Sequence, residues 1–345
     1  MFLKSLKSAT LNLVNHFTTS SNNFITINQD LKCCGIGASI VDNLLNVSDS
    51  FLDRYLLKKG QMHMVTQELF DEIINANTIA HIDFCGSVAN TIRFLNSCGI
   101  ESFLISNVGN DKEGAEYKNQ TKNNFAICSS PNIFTSRSAI LITQDGQRTM
   151  CTAIDGQNYI DFDNLNNDIL TSFTSCSIFI VEGYLFFNSK NIEAIKTMCH
   201  LAKQNGAKVA ISLSDSYCVK SFFNTISQIV FDYCDYVFAN KDEFEEFVKH
   251  LDMNTIIRSP IFVVTNGVDG CRVLRLNEES EDFLTTPIDN PVDTTGAGDI
   301  FMGGFIYGIM NNLSIKDSAS IANTNAGIVI CQNGTLVESP ILTVN

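Results

Sequence analysis

Residues 290–308 read NPVDTTGAGDIFMGGFIYG. Two carboxylates, Asp293 and Asp299, bracket a Thr-Thr-Gly-Ala-Gly turn, and an apolar run with glycines inside it follows directly. A turn that opens onto a helix offers unpaired backbone N–H groups and the positive end of the helix dipole. Glycine lets such a backbone come close to an anion. Gly296, Ala297 and Gly298 are therefore a candidate phosphate cradle. Asp299 falls in the first helical turn beside it, where the dipole favours its ionised form. A carboxylate there can take the proton of a hydroxyl that attacks phosphorus. Gly303, Gly304 and Gly308 predict close packing against a neighbouring helix. An ordinary capped helix with an acidic N-terminal region fits the same spacing, so the surroundings must decide.

Those surroundings alternate. LKCCGIGASIVD (31–42) reads as a buried strand ending in a glycine turn, VANTIRFLNSCG (88–99) as a helix, and SFLISNVG (102–109) as a strand. In SRSAILITQDGQRTMCTAI (136–154), the turn residues Gln144, Asp145 and Gly146 separate two strand-like runs, which predicts a hairpin. CSIFIVEG, AKVAISLSD, CDYVFAN and PIFVVTNG are further short apolar runs with polar or glycine ends, separated by helical stretches such as 191–206. This alternation predicts a mostly parallel sheet covered on both faces. Ligands of such sheets bind beyond the carboxyl ends of the strands. Asp42, Ser214 and Asp215, Asn240 to Glu243, Thr265 to Gly267 and the 293–299 turn should meet there.

Composition narrows the function. The 345 residues carry a formal charge of −14, which argues against nucleic acid as a partner. Twelve cysteines occur without any C-x-x-C, so neither a zinc ribbon nor a disulfide scaffold is indicated, and buried thiols in a reducing cytoplasm fit better. No apolar run is long enough to span a bilayer. Residues 1–30 hold Lys4, Lys7 and many Ser, Thr and Asn, and read as a flexible extension. There is no G-x-x-x-x-G-K-[ST] loop. GIGASI (35–40) keeps G-x-G but has Ile40 in the third glycine's place, so a dinucleotide fingerprint is weak.

DTTGAGD (293–299) resembles the C-terminal signature of the ribokinase-like (PfkB) sugar and nucleoside kinases. FCGSVANTIRFLNSCGIESFLISNVGNDKEG (84–114) is similar to that family's N-terminal signature, with Asn90, Gly99, Gly109 and Gly114 in place. NKDE (240–243) resembles its N-x-x-E motif, VVTNGVDG (263–270) its strand and turn along ATP, and ANTNAGIVICQNG (322–334) the helix that closes the nucleotide pocket. The resemblance spans 31–345. Segments 35–60 and SLSDSYC (212–218) lean toward the adenosine-kinase-like branch.

The resemblance implies an α/β three-layer sandwich with a mostly parallel central sheet and a small β lid over the acceptor, drawn from about 43–66 and 128–155. It implies ATP-dependent phosphoryl transfer to a primary hydroxyl of a nucleoside, adenosine first, or of a sugar, by a cytoplasmic monomer or homodimer. Asp299 matches the catalytic base, and the N–H groups of Gly296, Ala297 and Gly298 match the anion hole. Asp42 matches the residue that holds acceptor hydroxyls, with Gly86, Ser87 and Asn90 across from it. Asn240, Thr265, Gly267 and Asn323 match positions along ATP. Asn240 and Glu243 match residues that organise Mg²⁺ through water, and Asp293 and Thr295 lie in a loop that binds a monovalent cation, K⁺, in many relatives. Arg148 is placed to reach a phosphate or the acceptor from the lid, or to face solvent; Glu182 reads as structural.

The departures lie on the acceptor side. Cys85 stands where the family has a glycine, Ala38 where the adenosine-kinase-like branch has Asn, and Val88 and Ile92 are bulky. These changes leave two alternatives open: a sugar kinase of the ribose or fructose type, and a non-catalytic relative that binds a nucleotide or nucleoside. Cys85 is expected to fill space that a glycine would leave to the acceptor.

Overall fold

The computed structural model describes residues 31–121, 125–130, 133–155, 159–160, 165, 167–253, 256, 259–332, 334–335 and 337–343. The expected extension, residues 1–30, lies outside them. In chain order the strands are β1 (Lys32–Ile36), β2 (Ile40–Asn46), β3 (Met62–Met64), β4 (Ile79–Cys85), β5 (Glu101–Gly109), β6 (Phe125–Ser130) and β7 (Ser136–Ile142). There follow β8 (Arg148–Ala153), β9 (Ile178–Glu182), β10 (Lys208–Ser212), β11 (Tyr236–Asn240), β12 (Ile261–Thr265), β13 (Cys271–Leu274) and β14 (Glu281–Phe283).

Among the described residues, nine strands form one sheet in the order β14-β13-β12-β11-β10-β9-β1-β5-β6. From β12 to β6 every pairing is parallel; β13 and β14 close one edge antiparallel. Successive side chains of a strand point to opposite faces. Phe179, Val181, Val209, Ile211, Val237 and Phe262 pack on one face, with the helices Ser189–Gln204, Ser216–Asp232 and Lys241–Lys249. Ile178, Ile180, Ala210, Phe238 and Val263 pack on the other, with the helices Ser87–Ser97, Ala297–Met310 and Ile315–Val329. Both faces are covered, which is why the strands read as unbroken apolar runs.

The helix Ala297–Met310 is buried nearly all round because it is wedged between its two neighbours and the sheet. A methyl group on Gly304 would lie 2.8 Å from the Ala322 Cα, and one on Gly308 2.4 Å from the Ser318 Oγ, so the glycines do serve close packing. Phe305 is fully buried, edge-on to Phe238. Truncating it to Ala is expected to cost about 3–5 kcal/mol.

Among the described residues, five strands form a second sheet, β3-β8-β7-β2-β4, backed by the helices Asp49–Arg54 and Gln67–Asn75 through Leu45, Leu52, Phe70, Ile73, Leu141 and Cys151. This is the small β layer the resemblance implied, and β7–β8 is the expected hairpin. Two details differ. Ile79–Cys85 belongs to the second sheet, and Phe125–Ser130 joins the large one.

Candidate active site

The C-terminal ends of the parallel strands converge as the topology requires. Glu182, Ser212, Asn240 and Thr265 end β9 to β12, and the 293–299 turn faces them. A cavity of about 120 Å³ is lined by Ser87, Ser212, Ser214, Asn240, Glu243, Thr265, Gly298 and Asp299 among others. It has room for several waters or one compact anion, not for a whole nucleotide.

Gly296 is the N-cap of the helix Ala297–Met310 and sits in the left-handed region, at φ 75°, where a side chain is strained. It caps the helix with no side chain, so the first-turn N–H groups are free of a side-chain cap. Asp299 sits in that turn. Ser87 Oγ donates to one carboxylate oxygen at 2.7 Å and Asn90 Nδ2 to the other at 2.8 Å. Thr91 Oγ1 donates to the Asp299 carbonyl at 2.9 Å. Part of Asp299 stays open to solvent. Burial of the carboxyl pushes it up to about 6; the bonds from Asn90 and Ser87 pull against the rise, and the Asp42 charge adds to it. It is still ionised at neutral pH, as the helix start favours, but as a stronger base than a free Asp.

Ser87 and Asn90, expected across from the acceptor, thus grip the carboxylate itself. Thr91 carries the same grip to the Asp299 backbone; its one signal in the sequence is its place four residues after Ser87. Gly86 has φ 144°, and a Cβ there would meet the Ala38 carbonyl oxygen at 2.1 Å. No side chain at Gly86 caps the helix that follows. Glu182 does so from the end of β9 beneath it, accepting from the Val88 N–H at 3.1 Å, and burial lifts its carboxyl to about 8.

Asn240 and Glu243 form a reciprocal capping box on their helix: the Asn240 Oδ1 accepts from the Glu243 N–H and the Glu243 Oε2 from the Asn240 N–H. The pair therefore has a local reason to be polar. Burial raises Glu243 to about 7; its bond from the Asn240 backbone opposes this, while the Asp215, Asp242 and Asp299 charges add to it. Among the described residues no cluster of three His, Cys, Asp or Glu forms a ready metal site. The mutual repulsion of Glu243, Asp215 and Asp299 fits a hydrated Mg²⁺ that arrives with a phosphate.

Asp293 and Thr295 lie apart from that cavity. Asp293 is buried, and its Oδ1 accepts from the Thr295 N–H at 2.8 Å and from Arg148 Nη1 at 2.6 Å. Arg148 Nη1 also donates to Thr295 Oγ1. A guanidinium already neutralises this loop, so these residues do not fit a bound K⁺.

On the acceptor side, Cys85 is buried and its thiol donates to Asp42 Oδ2 at 2.9 Å. The thiol holds that carboxylate. Burial raises the thiol well above its ordinary value, so it stays a proton donor. Asp42 itself is raised to about 6 by burial, opposed by the Cys85 bond and the Arg148 charge, with Asp83 adding to the rise. The Ala38 side chain packs against the core cluster that contains Ile36 and Val181.

Gly267 and Asn323 are farther round, at the antiparallel edge. Gly267 has open space where a side chain would sit, and Asn323 Nδ2 donates to the Phe283 carbonyl at 3.2 Å. Beside them the apolar side chains of Val268 and Leu284 are 66% and 80% exposed.

The family model described as pfkB family carbohydrate kinase matches residues 60–342. The chain is 24% identical to adenosine kinase 2 of Arabidopsis thaliana over 91% of its own length and 98% of that protein. The crystal structure of adenosine kinase from Sinorhizobium meliloti superposes with a TM-score of 0.77 at 26% identity, covering 89% of this chain and 95% of the other. A probable sugar kinase from Rhizobium etli gives a TM-score of 0.75 at 27% identity, covering 89% and 94%.

Proposed function

The chain belongs to the pfkB family of carbohydrate kinases, a phosphotransferase with an alcohol group as acceptor, and from that premise we propose that it phosphorylates a nucleoside, adenosine first, at a primary hydroxyl. The observation that carries the nucleoside is the face of the second sheet that looks at the turn. Residues paired across strands share a face, as do residues two apart. Leu44 pairs with Ile140, Ile140 with Met150, and Met150 with Met62; Asp42 and Arg148 lie two residues from Leu44 and Met150. That face therefore combines a carboxylate beside the turn, Asp42, suited to ribose hydroxyls and flanked by its cross-strand partner Asp83, with an aliphatic and methionine surface suited to a base. A free sugar would leave this apolar surface idle.

In this reading Asp299, held by Ser87 and Asn90, takes the proton of the acceptor hydroxyl. The N–H groups of 296–298 hold the transferring phosphoryl group. ATP lies along Thr265 and Gly267, with its base between Val268, Leu284 and the Asn323 side. Asn240 and Glu243 would hold a hydrated Mg²⁺, which would offset the charge of the phosphates. Catalysis then rests on position and electrostatics, with no covalent intermediate on the protein.

A sugar acceptor is the second reading; the 27% identity to a probable sugar kinase favours it. ATP consumption measured over a panel of nucleosides and sugars separates the two. A rate constant per KM at least about tenfold higher for any sugar than for adenosine would reject the nucleoside. Absence of turnover with every acceptor would point to a binding protein.

A further inference from the structure

The loop Asp293–Thr295 presents a buried carboxylate with a counter-charge drawn from elsewhere in the chain. The Asp293 side chain is 2% exposed. A buried carboxylate without a partner is costly, so the loop requires a cation of some kind. Arg148 supplies one: a single guanidinium nitrogen reaches both Asp293 and Thr295. Arg148 is well placed for this. It is the first residue of β8, across from Ile142. The hairpin before it is pinned by Lys59, which pairs with Asp145 at 2.8 Å and with Asp49 at 2.6 Å. The strand behind it is tied by the Gly60 N–H, which donates to Thr149 Oγ1 at 3.0 Å.

We infer that Arg148 is a built-in counter-ion for Asp293, standing where a monovalent cation would otherwise be needed, and that it ties the second sheet to the phosphate-binding turn. A guanidinium keeps its charge at every physiological pH and offers several donors in a fixed fork. Because the fold fixes its position, it meets Asp293 whatever the concentration of free K⁺. Charge balance at the turn is then supplied by the fold. It also follows the position of the second sheet: only with the sheet over the turn is Asp293 neutralised.

The test compares KCl with choline chloride at equal ionic strength, on the full-length protein and on Arg148→Met, read by thermal melting and by ATP turnover with the best acceptor. The wild type should show the same melting temperature, and turnover within about twofold, in the two salts. Arg148→Met should melt about 5 °C lower or more in choline and recover part of that loss in KCl, because the bared carboxylate then recruits K⁺. Its turnover should fall about tenfold or more and respond to K⁺ in the same direction. A wild type that needs K⁺ for stability or turnover overturns the inference, and so does a folded Arg148→Met that is indifferent to the salt. If Arg148→Met does not fold, the wild-type comparison decides alone. If no acceptor supports turnover, the proposed function falls, and the melting data still judge Arg148.

Discussion

The two sides of the site are built differently. On the phosphate side the decisive contacts are local. Gly296 to Asp299 are consecutive, and Asn240 and Glu243 cap one helix three residues apart. Within the acceptor side, and between it and the 293–299 turn, the decisive contacts are long-range: Cys85 to Asp42, Arg148 to Asp293, and Ser87 and Asn90 to Asp299. A local motif works wherever the chain folds it. A long-range one exists only if two sheets are placed correctly, and it can be rewritten by one substitution at either end. That difference accounts for an intact phosphate turn beside an altered acceptor wall.

The comparison breaks first at Asp299. Asp299→Asn should lower kcat by about 10²–10⁴-fold while nucleotide affinity stays near wild type. Steady-state kinetics with isothermal titration of ATP checks this; a variant that keeps half its kcat would remove Asp299 as the base.

The pH profile sharpens the same point. The carboxylate must be unprotonated to accept a proton, so activity is present above about 6 and lost as pH falls through that value. Below it, kcat should drop about tenfold per pH unit. A plateau down to pH 4.5 would show an Asp299 with an ordinary carboxyl, and the burial argument would fail.

Glu243 tests the local side again. Glu243→Gln keeps an acceptor for the Asn240 N–H but removes the charge that Mg²⁺ would meet, so activity should fall about tenfold and need more Mg²⁺ for half-maximal rate. Wild-type activity should vanish in excess chelator. An unchanged Mg²⁺ titration in the variant would reduce the pair to a helix cap.

Cys85 tests the long-range side. Cys85→Ala removes one hydrogen bond to Asp42, and KM for the acceptor should rise about two- to tenfold with kcat and KM for ATP little changed. Cys85→Gly should do the same; it should not improve acceptor binding. A lower acceptor KM in either variant would mean that the thiol blocks the pocket after all.

The smallest effect concerns Glu182. Its folded carboxyl titrates near 8 and its unfolded one near the ordinary value of 4.5. The fold therefore binds the extra proton between these values, and stability falls as pH rises through the window. Glu182→Gln has no such proton. The melting temperature of the variant relative to wild type should climb by a few degrees from about pH 5 to about pH 8. A constant offset would show that Glu182 is ionised in the fold throughout.

The sequence by itself determined the parallel sheet, the hairpin at 144–146 and the glycine turn that opens the helix Ala297–Met310. Each rests on a short-range rule: alternation of apolar runs, turn chemistry, and glycine before a helix. It also placed Asn240, Glu243, Thr265 and Asp299 at strand or helix ends, where the topology gathers them into one cavity. Only the tertiary structure decided that Ser87 and Asn90 hold Asp299, that Cys85 serves Asp42, that Glu182 caps a helix packed on its sheet, and that Arg148 neutralises Asp293. The partners in these contacts lie 43 or more residues apart. No periodicity or spacing records such a pairing. It is fixed by where the crossovers set one sheet against the other, and a side chain's partner is the one that packing delivers to it.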